Sequence, residues 1–346
     1  MQTQVIQTIT QAEAGTTLGA SLIKSGALVA FPTETVYGLG ANGLNAEAVE
    51  QIFLAKGRPN DNPLILHIAQ KGDVKKLWAH VPHRAEPLIA TFWPGPLTLV
   101  FNKADCVPYA VTAGLETVAV RMPSDQTARL LIRKAGVPIA APSANRSGKP
   151  SPTTAAHVLE DMDGRIPLIL DGGPCKYGVE STVLSLVGEP TILRPGAVTR
   201  EMLEAVIGEV KLAKSVLKPL GVNETAASPG MKYKHYAPDA DVIVIEGAPQ
   251  NVARRIRALY HQFEDAGKRV SILGTEQTML RYRGLNAVSI GDRDHPETLC
   301  TNLFRLLRDV GDQCDVLLTE GVDPSETGLA YMNRLLRAAG FHCEQV

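Results

Sequence analysis

The stretch GALVAFPTETVYGLGANGLNAEAVEQIFLAKG (residues 26–57) places a strand-like run ahead of a helical one. GALVAFP (26–32) is continuously apolar between a Gly and a Pro, which predicts a strand buried on both faces. From Asn45 to Lys56 the pattern predicts a helix, with Asn45 as its N-cap and Gly57 as its C-cap. A strand followed by a helix is the repeating unit of an α/β fold.

The same alternation continues through residues 1–211. A further helical pattern covers about residues 11–25. Five more apolar runs predict strands, at PLTLVFN (96–102), TVAVRMP (117–123), VPIAAPS (137–143), PLILDGG (167–173) and STVLSLV (181–187). We therefore expect residues 1–211 to form one α/β domain.

The rest of the chain predicts a linker and a second domain. Residues 212–238 are rich in small, polar, Pro and Gly residues that break any periodicity, which indicates a linker. In residues 239–346, strand-like runs at 241–247, 269–274, 286–291 and 315–321 alternate with helical patterns at about 249–267, 295–313 and 325–340. This series predicts a smaller, mostly parallel sheet with Rossmann-like winding.

Composition excludes several classes of protein. The 346 residues are too many for one ordinary core and indicate two domains. With 35 Lys and Arg residues against 36 Asp and Glu residues, the net charge of −1 excludes a polybasic binder. No apolar run approaches the roughly 20 residues that span a bilayer. Five scattered Cys residues without a C-x-x-C pair predict a reduced, cytosolic protein without disulfides or structural zinc.

The segment from Gly38 to Gly43 matches the dinucleotide-binding pattern G-x-G-x-x-G, but in the wrong context. That fingerprint forms the turn directly after a strand and opens a helix, whereas further residues separate the segment here from the strand at 26–32. We interpret the segment as a Gly-rich bend that packs against the sheet. A nicotinamide- or flavin-dependent oxidoreductase is the weakest alternative.

The segment KGRPNDNPLILH (56–67) gathers polar and charged side chains at the end of the predicted helix: Lys56, Arg58, Asn62 and His67. Arg offers a planar fork of donors to carboxylate or phosphate, and Lys offers a point charge. The Pro residues stiffen the loop, so the segment indicates a rigid platform for an anion. The alternative is that the two cations only complement the dipole of the helix.

The loop PSANRSGKPSPTT (142–154) follows a predicted strand and ends where a helix can begin. Its hydroxyl groups, including those of Ser143 and Ser151, and its backbone N–H groups can bind phosphate. The Walker A pattern G-x-x-x-x-G-K-[ST] is absent. An ordinary Ser- and Thr-rich turn is the alternative interpretation.

Four residues at strands complete the candidate set. Thr117 and Arg121 share one face of the strand at 117–123, and an Arg on an apolar strand needs a partner because an unpaired buried charge is costly. Ser181 and Arg194 lie at a strand start and a strand end, where Arg194 could instead pair with a nearby Glu. The eight His residues have no metal-ligand spacing, and no G-x-S-x-G motif is present. The set favours binding and alignment of anions over covalent catalysis.

Together these motifs resemble the YrdC-like family, in the two-domain form of the threonylcarbamoyl-AMP synthases. The resemblance rests on FPTETVYGLG, KGRPNDNPLILH, FWPGPLTLVF, VAVRMP, APSANRSGKPSPT, GVESTV and LRPG, in the family's order through residues 1–200. SPGMKYKHYAP resembles the family's linker, and TGLAYMNRLLRAA resembles the end of its C-terminal domain. The resemblance implies a YrdC-like twisted open sheet with a basic concave cleft, followed by a smaller Rossmann-like parallel α/β domain.

The resemblance also implies a nucleotidyltransferase. L-threonine, bicarbonate and ATP would give threonylcarbamoyl-AMP and pyrophosphate, with Mg²⁺ held mainly by the ATP phosphates. The product would pass to a separate threonylcarbamoyl transferase complex that modifies tRNA. The chain would therefore act in the cytoplasm, meet tRNA only indirectly and contact no membrane.

The site residues that the resemblance implies fall into three groups, and no protein metal site is among them. The catalytic residues would be Lys56 and Arg58. The L-threonine pocket, with Arg121 on the α-carboxylate, would be formed by Thr35, His67, Arg121 and Ser181. The ATP-binding residues, the last of them on a linker that closes over the cleft, would be Arg58, Asn62, Thr117, Ser143, Ser151, Arg194 and Tyr236.

A double-stranded RNA-binding module without catalysis is the alternative from another class, because YrdC-like domains present a concave basic surface. The near-neutral charge argues against it, since affinity for a phosphate backbone needs several cations on one face. A carbamoyltransferase of the hydrogenase-maturation type shares this domain, but it would carry acylphosphatase and zinc-finger segments that are not visible here.

Overall fold

The computed structural model describes residues 2–60, 62–216, 218 and 236–346. These residues form two compact units, one of residues 2–147 and 151–218 and the other of residues 148–150 and 236–346. Each unit has its own β-sheet. The segment 219–235, which holds most of the predicted linker, lies outside the described residues.

The first unit is built on a sheet of eleven described strands. They are β1 (Gln4–Gln7), β2 (Val29–Phe31), β3 (Gly38–Asn42), β4 (Ile65–His67), β5 (Leu97–Asn102), β6 (Thr117–Arg121), β7 (Ile139–Ala141), β8 (Leu168–Asp171), β9 (Thr182–Ser185), β10 (Thr191–Arg194) and β11 (Lys211–Leu212). Across the sheet they lie in the order β1-β8-β2-β3-β7-β4-β6-β5-β9-β10-β11. The six strands predicted in this part of the chain are confirmed, and so is the strand end predicted at Arg194, which closes β10, whereas β1, β4 and β11 were not predicted.

Helices accompany this sheet in the first unit. They are α1 (Thr8–Lys24), α2 (Ala46–Lys56), α3 (Val74–Leu77), α4 (Ala85–Phe92), α5 (Tyr109–Thr112), α6 (Gln126–Ala135), α7 (Ala155–Met162) and α8 (Arg200–Ile207). The predicted caps of α2 are confirmed, because the side chain of Asn45 accepts a hydrogen bond from the backbone N–H of Ala48 and Gly57 is left-handed with a φ of 62°.

The segment from Gly38 to Gly43 is not the predicted bend. It contains strand β3, which pairs antiparallel with β2 and with β7. Sequence analysis missed this strand because Gly is depleted in strands. A Cβ atom at Gly40 would lie 2.8 Å from both the Phe31 ring and Ile139, so a glycine is needed where the neighbouring side chains cross the strand.

The central strands of this sheet present two chemically different faces. Side chains on one face enter the larger apolar core, where they pack with helix residues such as Ile52 of α2; they are Leu66, Leu99 and Val120. Since successive side chains alternate between faces, the residue next to each of them points the other way. Those residues are His67, Thr98 and Arg121, so the polar side chains share the face opposite the larger core.

The second unit contains a five-stranded parallel sheet. Its strands are β12 (Asp241–Glu246), β13 (Val270–Thr275), β14 (Ala287–Gly291), β15 (Val316–Glu320) and β16 (Cys343–Gln345), in the order β14-β13-β15-β12-β16. Its helices are α9 (Pro249–Asp265), α10 (Pro296–Asp309) and α11 (Glu326–Ala338). The predicted parallel sheet, its first four strands and its three helices are confirmed, whereas the short, half-polar β16 was not predicted.

All five Cys residues are free thiols, as the sequence predicted. Among the residues described here, none of the helices combines the length and apolar character that crossing a bilayer requires.

Candidate active site

Three neighbouring strands bring polar side chains into one row on the face opposite the larger core. His67 of β4 pairs in register with Arg121 of β6, and Arg121 pairs in register with Thr98 of β5. Directly paired residues in adjacent strands point to the same face. Two members of the row, His67 and Arg121, were predicted site residues. Thr98 was missed, although it is the polar residue within the apolar run at 97–101.

Arg121 is the centre of this row and is only 3% exposed. Its Nε donates to the carbonyl oxygen of Gly95 at 3.3 Å, and its Nη1 donates to Oγ1 of Thr35 at 2.9 Å. Its Nη2 lies 2.7 Å from Oε1 of Glu34 in a buried ion pair. The guanidinium group is therefore held on three sides, and one of these contacts joins it to Thr35.

Glu34 is a site residue that sequence analysis missed, although it adjoins Thr35 in the quoted motif. Burial alone would raise the pKa of Glu34, but the charge of Arg121 and the hydrogen bonds around the carboxylate hold that pKa below its usual value. Glu34 is thus ionised and balances the buried charge of Arg121. An isolated buried guanidinium would be costly without it.

His67 is neutral at physiological pH. Burial, reinforced by the positive charge of Arg121, lowers the pKa of His67 to about 3. Its Nδ1 lies 3.1 Å from the carbonyl oxygen of Ile65, and only 4% of the residue is exposed. The imidazole therefore forms an uncharged wall of the site and is not a general acid held in its protonated form.

The free energy of unfolding should fall as the pH drops below about 6.5, because the unfolded chain then binds a proton on His67 that the folded chain rejects. Each pH unit costs about 1.4 kcal/mol from this group, until the folded-state pKa of about 3 is reached. Urea unfolding of His67→Asn between pH 7 and pH 5 should give a shallower decline than the parent chain. His83→Asn is the matched control, since the His83 side chain is 97% exposed. Equal slopes for all three proteins would contradict the buried neutral imidazole.

Ser181 joins this row to the next strands of the sheet. Its Oγ lies 2.8 Å from Oγ1 of Thr98, and Nη2 of Arg194 donates to it at 3.2 Å. Nε of Arg194 also donates to the Ser181 carbonyl oxygen at 3.1 Å. A Cβ atom at Gly196 would lie 2.4 Å from the backbone nitrogen of Thr182, so the LRPG motif needs glycine for this approach. Arg194 and Ser181 are thus brought together.

Ser151 contacts the residue next to Ser181. Its Oγ donates to Oε1 of Glu180 at 2.6 Å, and Glu180 precedes Ser181 directly. Both Ser151 and Glu180 are buried. The hydroxyl-rich loop is therefore fixed beside the Ser181 strand and is not a freely solvated turn.

Lys56 organises the other end of the same loop. Its Nζ donates to the carbonyl oxygens of Ser143 and Asn145, both at 2.6 Å, and the Ser147 backbone N–H donates to the Lys56 carbonyl oxygen at 3.0 Å. Only 4% of Lys56 is exposed. Carbonyl groups are dipoles without net charge. These contacts therefore fix the position of the ammonium group but do not neutralise its positive charge.

Arg58 and Asn62 form a smaller cluster after helix α2. Nη2 of Arg58 donates to the Asn62 carbonyl oxygen at 3.4 Å, and the guanidinium lies 5.8 Å from the centre of the Phe53 ring. Asn62 is fully buried, yet neither polar atom of its side chain has a hydrogen-bond partner among the described residues. An unsatisfied buried amide costs about 1–3 kcal/mol, which a bound ligand would recover.

Thr117 and Tyr236 are the remaining predicted residues. Thr117 begins β6 on the same face as Arg121, about 13 Å along the strand at about 3.3 Å per residue. Tyr236 belongs to the second unit, where its ring centre lies 4.9 Å from that of Phe304. Most of the linker predicted to close over the cleft, residues 212–238, lies within 219–235, outside the described residues. No three His, Cys, Asp or Glu side chains are grouped for a metal ion in the described part of the chain.

Two family models match the two parts of the chain. A model described as "Telomere recombination" matches residues 21–196, and a model of the threonylcarbamoyl-AMP synthase C-terminal domain matches residues 198–340. With the mixed sheet and its row of Arg, His and hydroxyl side chains, these matches define a YrdC-like α/β enzyme. The chain belongs to the threonylcarbamoyl-AMP synthase family.

The relatives agree over both parts. Threonylcarbamoyl-AMP synthase of Pyrococcus abyssi is 49% identical over 331 residues, which are 95% of each protein. The Bacillus subtilis enzyme of the same name is 49% identical over 93% of this chain and 92% of that protein. A crystal structure of P. abyssi Sua5 complexed with L-threonine has a TM-score of 0.90 at 49% identity and covers 96% of both chains. These matches favour the enzyme over the RNA-binding alternative.

Shorter relatives also occur. A Mycobacterium tuberculosis protein is 36% identical over 199 residues, which are 57% of this chain but 91% of that protein. That relative is too short to contain both units. The predicted assignments of individual substrate-binding residues remain predictions at this point.

Proposed function

We propose that this enzyme converts L-threonine, bicarbonate and ATP into threonylcarbamoyl-AMP, pyrophosphate and water. The observation that carries the proposal is the buried Arg121, flanked by Thr35 and in register with His67. Although Glu34 balances the charge of Arg121, the guanidinium keeps further N–H donors, which suit a carboxylate, and Thr35 and the neutral His67 suit the hydroxyl of a small amino acid. The L-threonine complex of the P. abyssi relative supports the same substrate.

In the amino-acid pocket, we assign the α-carboxylate to Arg121. An Arg has five N–H donors, and at most three are occupied by Gly95, Thr35 and Glu34. The remaining donors can hold a carboxylate. His67 and Ser181 then line the pocket around the side chain, and the neutral state of His67 avoids repulsion of a substrate ammonium group.

In the ATP site, the phosphates need cations and donors because both reactants are anionic. Lys56 supplies a fixed positive charge, and Arg58 supplies a second one near the buried amide of Asn62. We assign the remaining nucleotide contacts to Thr117, Ser143, Ser151, Arg194 and Tyr236.

The chemistry then needs little covalent assistance from the protein. The neutral amine of threonine attacks the carbon of bicarbonate or of CO₂ derived from it, and a carbamate forms with loss of water. A carbamate oxygen attacks the α-phosphorus of ATP, the bond to the bridging oxygen breaks, and pyrophosphate leaves. Charge neutralisation by Lys56 and Arg58 and alignment by the sheet row would supply the catalysis.

We propose that Mg²⁺ enters with ATP and is held by phosphate oxygens. The described residues offer no cage of three acidic, His or Cys ligands, which fits an ion carried by the nucleotide. When bound, the ion would neutralise phosphate charge, and no other step is assigned to it.

The direct test combines the full-length protein with ATP and Mg²⁺, with and without L-threonine and with and without bicarbonate. Pyrophosphate release should require both co-substrates, and mass spectrometry should detect threonylcarbamoyl-AMP. Pyrophosphate release without threonine, or intact ATP beside salt-sensitive RNA binding, would contradict the proposal. L-serine in place of threonine measures selectivity, which a single methyl group limits to about 1–3 kcal/mol.

Replacing Asn62 by Leu should stabilise the protein and weaken ATP binding. The apolar side chain of similar size removes an unsatisfied buried amide, which is worth about 1 kcal/mol to the free energy of unfolding. If the amide binds the nucleotide, the KM for ATP should rise about ten-fold. Asn251→Leu at an exposed position is the matched control. An unchanged KM for ATP would remove Asn62 from the nucleotide site.

In the cell, the product would pass to a separate threonylcarbamoyl transferase complex that modifies tRNA in the cytoplasm. Tyr236 and the segment before it would close over the nucleotide and protect the labile mixed anhydride from water. Tyr236→Ala should then raise the KM for ATP or lower the yield of intact product per pyrophosphate released. If both stay at the parental values, the closing role is wrong.

A further inference from the structure

The second unit contains a cavity of about 300 Å³ at the carboxyl edge of its parallel sheet. Its wall includes Glu246 at the end of β12 with Gly247 after it, Arg293 after β14, and Gly321 and Asp323 after β15. Open parallel sheets bind ligands in the crevice outside the carboxyl ends of their strands. All of these wall residues belong to the second unit and none is part of the proposed active site.

The cavity lies at the carboxyl ends of β12, β15 and β16, beside the loop after β14. After β13 the chain continues to β14 at one edge, and after β15 it continues through α11 to β16 at the other edge. Neighbouring strands β13 and β15 therefore lead in opposite directions, which is the topological switch point of such a sheet.

A buried network fixes one wall of the cavity. The Glu320 carboxylate at the end of β15 is fully buried and accepts hydrogen bonds from Thr275 at 2.9 Å, Thr278 at 2.5 Å and Tyr282 at 2.6 Å. Nη2 of Arg293 completes the set at 2.8 Å. The positive charge of Arg293 is thereby balanced by Glu320, and its side chain is held in place against the cavity.

The remaining charges of the wall are negative. Glu246 is half-buried and Asp323 is exposed. Glu246 accepts a hydrogen bond from the Gln345 side chain, and Asp323 accepts one from the Ser325 backbone N–H at 3.1 Å. Within the described part of the chain, neither carboxylate forms an ion pair. The cavity therefore presents two uncompensated negative charges beside an already neutralised arginine.

The backbone at the cavity is built for close approach. A Cβ atom at Gly321 would lie 2.4 Å from Cγ of Glu246, and Gly247 has a φ of 143°. Any larger side chain at Gly321 would displace Glu246 from the wall. The position of the Glu246 carboxylate thus depends on the absence of a side chain at Gly321.

We propose that this cavity is a second ligand site, which takes a small organic molecule carrying a protonated amine. Its carboxylates complement an ammonium group, whereas a phosphate or a nucleotide would meet net negative charge. A metal ion lacks a third acidic, His or Cys ligand among the described residues. The Mycobacterium tuberculosis relative is too short to contain this unit.

The test is isothermal titration calorimetry of the full-length chain. Putrescine and spermidine are titrated as the amines, and AMP, inorganic phosphate and Mg²⁺ are titrated separately for comparison. The diamine or triamine should bind at one site, and Glu246→Gln with Asp323→Asn should weaken that binding at least about ten-fold. Asp265→Asn removes an exposed carboxylate of the same unit and should leave the affinity unchanged. Backbone NMR shifts on amine addition should centre on Gly247 and Gly321.

Several results would overturn the site. Amine binding that falls equally in the Asp265→Asn control would show general charge attraction. Binding of AMP or phosphate without binding of amines would show that the cavity binds anions and not amines. If none of the compounds binds, the cavity is not a ligand site. If the double variant unfolds, the single Asp323→Asn change at an exposed position provides the same comparison with the fold intact.

Discussion

Arg121→Ala should raise the KM for L-threonine by about 100- to 1000-fold, because a buried, charge-assisted contact to the substrate carboxylate is lost. The KM for ATP should change by less than about three-fold, since the nucleotide contacts proposed at Lys56, Arg58 and Asn62 do not include this side chain. Pyrophosphate release measured against each substrate in turn separates the two constants. Arg133→Ala, at an exposed position of helix α6, is the matched control.

The same substitution should also destabilise the protein, which requires a second comparison. Without Arg121, the buried carboxylate of Glu34 loses its counterion, at a cost of about 3–5 kcal/mol. The double variant Arg121→Gln with Glu34→Gln replaces the ion pair by neutral amides and should recover much of that stability. If its KM for threonine also returns to the parental value, Arg121 supports the fold and does not bind the substrate. Equal increases in both KM values would likewise misplace it.

The strands and helices that sequence analysis found are those whose signals are local. A continuous apolar run between Gly and Pro, as at 26–32, predicts a buried strand without information from the rest of the chain. Asn45 and Gly57 mark the ends of helix α2 because capping involves only nearby backbone groups. Strand β3 was missed because its Gly40 leaves room for the side chains of Phe31, on the preceding strand, and Ile139, which is about 100 residues away in sequence.

Sequence analysis predicted site residues only where a sequence motif contained them. Arg121 and Ser181 stood out as polar residues at apolar strands, and the family resemblance assigned them roles. Thr98 and Glu34 were missed because their roles depend on residues that are distant in sequence. Thr98 lies on β5, between β6 and β9, and Glu34 forms an ion pair with Arg121 of β6. Strand order in a mixed sheet depends on long-range packing, which a single sequence does not display.

The contacts of Lys56 change how its role is understood. The family resemblance implied that Lys56 is catalytic, and the structure shows its ammonium group held by the carbonyl oxygens of Ser143 and Asn145. These roles are compatible, because a fixed cation needs no reorganisation when charge develops in the transition state. The loop and the charge then act as one unit.

Lys56→Met should therefore lower kcat by about 100- to 1000-fold, as expected when a preorganised charge is removed from a polar transition state. The apolar side chain of similar length also leaves two loop carbonyls without their donor, so the free energy of unfolding should fall by about 1–3 kcal/mol. Pre-steady-state and steady-state pyrophosphate release give kcat, and urea unfolding gives the stability. Lys76→Met, whose side chain is 80% exposed in the parent, is the matched control.

Lys56→Arg distinguishes charge from loop support. It keeps the positive charge but cannot reproduce a compact ammonium between two carbonyl groups. If charge dominates, Lys56→Arg should retain at least about ten-fold more activity than Lys56→Met, with ATP dependence close to that of the parent. If both variants lose stability and keep kcat within about three-fold, the lysine only supports the loop, and the stabilisation of transferred charge must come from Arg58 and Arg194 instead.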